Sequence, residues 1–155
     1  MKKILIAAAA WMVASAPAAA TAAEPEMHLQ SIETKLVYKG SGTLSNDMSA
    51  PSFTAWNTII GEGDAAEPAD DVIAFVLVQT LGEQAFKETP VTVVATNSKG
   101  REIARRSFDT VLTTEAGRAS LPLFIPDSTC AGLVTITATM GTERMVKSVA
   151  MACGE

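Results

Sequence analysis

Apolar side chains recur at every second position in short segments separated by Gly, Pro, Asn and Asp, and this alternation leaves the chain little choice of fold. Ile32, Thr34, Leu36 and Tyr38 alternate with Glu33, Lys35 and Lys39, with Val37 alone breaking the pattern, and Val91, Val93 and Ala95 repeat it. Leu121, Leu123 and Ile125 do so again, in a run that contains Pro122 and closes at Pro126. A period of two puts successive side chains on opposite faces, so each segment reads as a strand with one face buried. Pro122 lacks a ladder donor, which places its strand at an edge or a bulge.

The remaining segments complete the count. Residues 72–80 are almost continuously apolar and β-branched, interrupted only at Gln79, and read as a central strand covered on both faces. Residues 53–60 hold Trp56, end at Gly61 and read as another strand. Residues 97–100, Asn-Ser-Lys-Gly, have the composition of a hairpin turn with Gly in the left-handed region, from which residues 101–108 return. Residues 133–140 and 144–152 flank Gly141 and Thr142 as a final hairpin, and residues 82–89 read as a short helical turn or a plain loop. No segment carries an apolar stripe at helical spacing. The expectation is all-β: a single β-sandwich of about seven or eight antiparallel strands over residues 31–155.

The N-terminus carries a different signal. Lys2 and Lys3, an apolar stretch at 4–13 and a small-residue run at 14–23 have the form of an export leader cleaved after Ala20, Ala22 or Ala23. Removing 23 of 155 residues leaves 132, enough for one core. Residues 24–30, polar and containing Pro25, read as a short tail. No run after the leader approaches the roughly 18 apolar residues a spanning helix needs. A lipid-modified leader needs a cysteine at its cleavage point, and the first cysteine is Cys130. The chain is therefore expected in the periplasm or the medium, with neither membrane span nor lipid anchor. Without Lys2 and Lys3, ten Lys and Arg face seventeen Asp and Glu, a charge of −7 that disfavours nucleic acid. Lys99, Arg101, Arg105 and Arg106 form the only basic cluster and read as a solvated hairpin.

Export also places the only two cysteines in an oxidising compartment, where an intramolecular pair is the default. A two-residue turn at Gly141 and Thr142 sets Met140 opposite Glu143. Ten residues further along each strand, Cys130 falls opposite Cys153, where Cβ atoms of facing residues lie about 5 Å apart.

Three pieces of the second half carry a family likeness. Pro90-Val91-Thr92-Val93 precedes Lys99-Gly100-Arg101; Thr114-Glu115-Ala116-Gly117-Arg118-Ala119-Ser120-Leu121 forms a turn into a strand; Ala131-Gly132-Leu133-Val134-Thr135-Ile136-Thr137-Ala138 forms another. Through these, residues 90–150 resemble bacterial immunoglobulin-like domains of the invasin and intimin type. The resemblance implies an immunoglobulin-like β-sandwich. In that family such domains come in tandem as stalks of outer-membrane adhesins, whereas one copy is visible here.

Few residues offer chemistry. His28 is the only histidine and lies in the expected tail beside Met27, a poor place for a catalytic base, although the two are a soft-metal pair that copper accepts. Met48, Met140, Met145 and Met151 sit at core-like positions. Glu62, Asp64, Glu67, Asp70 and Asp71 read as a solvated loop, with calcium or a basic partner protein as the functional alternative. Trp56 is a core plug or, if exposed, an anchor for a glycan or a protein. No metal set or cofactor motif is assigned. The leading expectation is a non-catalytic exported module for protein interaction or a structural role at the cell envelope, with an envelope protein as partner. The alternative is a ligand-binding module for glycan, calcium or copper; an enzyme needs a carboxylate pair joined across strands, which linear spacing does not reveal.

Overall fold

Every alternating run forms a strand. The computed structural model describes residues 26–154, so the leader, Lys2, Lys3 and the cleavage points lie outside the described residues. The strands are β1 (His28–Val37), β2 (Asp71–Gln79), β3 (Phe86–Lys87), β4 (Val91–Thr96), β5 (Glu102–Phe108), β6 (Val111–Leu112), β7 (Arg118–Ile125), β8 (Leu133–Met140) and β9 (Glu143–Ala150). One sheet has the order β1-β2-β7 and the other β5-β4-β8-β9, while β3 and β6 pair as a small ribbon. All these pairings are antiparallel. Among the described residues no α-helix occurs, and none is long and apolar enough to cross a membrane.

The sheets bury one face each on the other. Leu36, Val72, Val76 and Ile125 of the first meet Val91, Val93, Val134 and Ile136 of the second in a single core. The chain passes from β2 across to β4, returns from β5 to β7, and crosses again to β8. This is an immunoglobulin-like β-sandwich, seven long strands with the β3–β6 ribbon attached.

Four expectations are corrected. The run at 53–60 is not a strand, because the backbone turns left-handed at Asn57 (φ 45°) and Gly61 (φ 80°); it makes one isolated bridge, Trp56 to Ala152, and a 3-10 turn at Thr58–Ile60. The tail at 24–30 is shorter than read: Met27 is 1% exposed and β1 starts at His28, with a bulge between Leu29 and Ser31 that masked its period. Residues 82–89 hold no helical turn, since Phe86 and Lys87 pair with Leu112 and Val111. Finally, β2 is central but the described residues cover only one of its faces; Val72, Ala74, Val76 and Val78 are buried, and Ile73, Phe75 and Leu77 on the other face are half-buried.

The two open sides of the sandwich are closed by side chains. Where β1 runs beside β9, Glu143 accepts the Leu29 N–H at 2.8 Å and lies 2.6 Å from His28 Nδ1. Further along the outer edge of β1, Asp47 accepts the Thr34 N–H and Ser45 Oγ the Leu36 N–H, each at 2.9 Å, and the Thr43 carbonyl accepts the Tyr38 N–H. These partners occupy donors that a foreign strand would otherwise take. On the opposite side Arg106 donates to the Pro122 carbonyl at 3.1 Å while lying over the Phe108 ring. In an antiparallel strand a residue's nitrogen and carbonyl point the same way, so the Pro122 nitrogen also faces away from β2 and no ladder bond is lost.

Candidate functional site

One pole of the sandwich gathers the ends of β1, β4, β7 and β9, and there the chain presents Trp56. It is 47% exposed, so it is not the core plug that apolar patterning allows. Ile59 and Ile60, on the adjoining 3-10 turn, are also exposed.

The backbone beneath these side chains is fixed from three directions. The Ala152 N–H donates to the Ala55 carbonyl and the Asn57 N–H to the Ala152 carbonyl, tying the loop to the end of β9. Thr54 and Asp64 exchange bonds, the Thr54 N–H to Asp64 Oδ2 at 2.7 Å and the Asp64 N–H to the Thr54 carbonyl at 3.1 Å. The Ala69 N–H donates to the Thr58 carbonyl, and Thr58 is buried. Gly63, at φ +70°, lies so close that a Cβ there would stand 2.4 Å from the Thr54 oxygen; only glycine fits. One residue beyond Ala152, Cys153 is bonded to Cys130, with 5.2 Å between their Cα atoms. The register Met140 to Glu143 is the one the two-residue turn requires.

The acidic residues are dispersed into separate structural jobs. Glu62 accepts from Asn57 Nδ2 at 2.7 Å, Glu67 from the Ser41 N–H at 3.0 Å and Asp71 from the Asp127 N–H at 3.0 Å. Asp70 pairs with Lys39. Among the described residues no three of His, Cys, Asp and Glu converge as a metal site. Met27 and His28 part in the same way, Met27 into the core and His28 to the surface against Glu143. Of the basic cluster, Arg105 hydrogen-bonds Glu102, which holds that carboxyl below its usual range, and Arg106 is spent on Pro122. Lys99 and Arg101 line a cleft of about 480 Å³ with Asp127 and Cys130, between the β4–β5 turn and the β7–β8 connection. No sequence signal joins these segments; the fold alone does.

No protein-family model matches this chain, and no curated protein matches it. Among solved structures it is similar to an immunoglobulin-like protein from Pseudomonas aeruginosa, at 14% identity over 84% of this chain and 99% of that one, with a TM-score of 0.44. It is also similar to a Bifidobacterium dentium β-glucuronidase, at 12% identity over 82% of this chain, with a TM-score of 0.42; the match spans 18% of the glucuronidase. Neither likeness bears on which residues bind.

Proposed function

We propose that this chain is a non-catalytic recognition module, exported and working at the cell envelope, that binds a protein partner through Trp56, Ile59 and Ile60. The observation that carries the reading is a half-exposed tryptophan on a backbone held by β9, by Asp64 and by buried Thr58. A large aromatic presented on an already ordered loop gives up little conformational freedom on binding, the property of interface anchors. Glu62 and Asp64 border the loop and favour a partner with a basic rim. The leader at residues 1–23 and the Cys130–Cys153 bridge support an oxidising compartment outside the cytoplasm.

A photo-crosslinking amino acid in place of Ile60, carried by the exported protein in living cells, tests this. The expected result is one discrete protein adduct that Trp56→Ala abolishes, with an unfolding free energy unchanged to within about 0.5 kcal/mol. An adduct that survives Trp56→Ala, or no adduct at all, overturns the proposal.

A further inference from the structure

The continuous apolar run of β2 asks for cover on both faces, and the described residues supply it on one. On the open face three rows cross the sheet: Lys35, Ile73 and Phe124; Glu33, Phe75 and Pro122; Ser31, Leu77 and Ser120. Phe124 is 49% exposed, and Leu44, beside Val37 at the β1 edge, is 41% exposed. Leu44, Phe75 and Leu77 line a shallow groove of about 250 Å³ with Glu33 and Lys35 on its rim. The solvent face of an antiparallel sheet is ordinarily polar; here its centre is Ile73, Phe75 and Leu77, with charge confined to the flank.

We propose that the missing cover is a second copy of this chain, docked face to face on the β1-β2-β7 sheet about a two-fold axis that crosses the strands between the Lys35 and Glu33 rows. Such an axis sets each strand over its own copy in the opposite direction. Phe75 then meets the second copy's Ile73, Phe124 meets its Pro122, and Glu33 meets its Lys35 twice over. In the single chain Glu33 and Lys35 already lie 3.6 Å apart, so each exchanges a neighbour for the same group on the other copy. Moving the axis onto the Phe75 row would set Glu33 against Glu33. The charge pattern therefore selects one register, while apolar burial supplies the affinity. A face three strands wide and about 30 Å long offers roughly 430 Å² per copy, the size of a weak, reversible contact.

This inference is independent of Trp56, which lies at the pole. Sedimentation velocity on the processed protein from about 10 µM to about 1 mM, the range in which so small an interface assembles, reads it directly. The expected result is a monomer–dimer equilibrium weakened about tenfold or more by Phe124→Lys, since a desolvated aromatic becomes a buried charge. Glu33→Lys or Lys35→Glu alone weakens the dimer, and mixing the two single variants restores association as a charge-swapped pair of unlike copies, a rescue that a folding defect cannot produce because neither chain regains its internal ion pair. A chain monomeric throughout, or a dimer indifferent to Phe124→Lys, overturns the proposal, and so does a charge swap without rescue.

Discussion

At the scale of single residues, the least comfortable group in the core is the Thr34 hydroxyl, which is buried without a hydrogen-bond partner. The backbone of Thr34 is satisfied independently, its N–H by Asp47 and its carbonyl by the Met48 N–H. Thr34→Val removes the unpaired oxygen and keeps the shape, so it is expected to stabilise the protein by about 1 kcal/mol, read as a higher denaturant midpoint at unchanged slope. Of the three lowered carboxylates Glu102 is fully exposed and screened by solvent, so Asp47 and Glu143 dominate the pH dependence. Burial raises the Asp47 carboxyl, but hydrogen bonds from the Ser49 hydroxyl and the Thr34 and Ser49 N–H groups, with Lys147 nearby, outweigh it and leave it lowered. Glu143 is lowered likewise, with burial opposed by the Leu29 N–H, His28 and Lys87. A carboxyl depressed on folding contributes stability above its unfolded value, and that contribution disappears as pH falls through the folded one. The denaturation midpoint should therefore drop as pH falls below about 5, and Asp47→Asn with Glu143→Gln should flatten that drop. Neither role was legible in the sequence, because Asp47 and Glu143 act on β1 from other segments.

At the scale of elements, legibility followed local cause. Strands β1, β4 and β7 were readable because one face of each is buried and the period is two, and β8 and β9 because Gly141 and Thr142 mark the turn between them. The run at 53–60 was misread because its apolar residues serve a loop; Trp56, Ile59 and Ile60 point outward, a choice made by tertiary contacts with Ala152 and Ala69 rather than by propensity. The disulfide was legible because a two-residue turn propagates its register faithfully along both strands. Its removal has a predictable reach. Cys130→Ser with Cys153→Ser, which opens a bridge between residues 23 apart, should cost about 3 kcal/mol. Hydrogen exchange should show the Asn57 and Ala152 amides losing more protection than the amides of β4, since the bridge anchors the segment that holds the Trp56 loop.

At the scale of the whole molecule, the sandwich was legible and its unequal coating was not. Alternation fixes which side of a strand faces the core, but nothing local to residues 72–80 says whether the far side meets the same chain or another. The poles differ as well: Trp56 and the disulfide occupy one, while the exposed Leu81 and the exposed cross-strand pair Phe86 and Leu112 lie towards the other. β1 enters near the second pole and β9 leaves at the first, so tension applied between His28 and Cys153 runs the length of the sandwich. Through the Cys130–Cys153 bond that tension passes straight to the β7–β8 connection. The last hairpin then bears no load, and β1 and β2 are pulled in shear, with the hydrogen bonds of their ladder strained together rather than one after another. The covalent bridge thus shields β8 and β9 mechanically, while the β1–β2 ladder sets the force at which the domain yields.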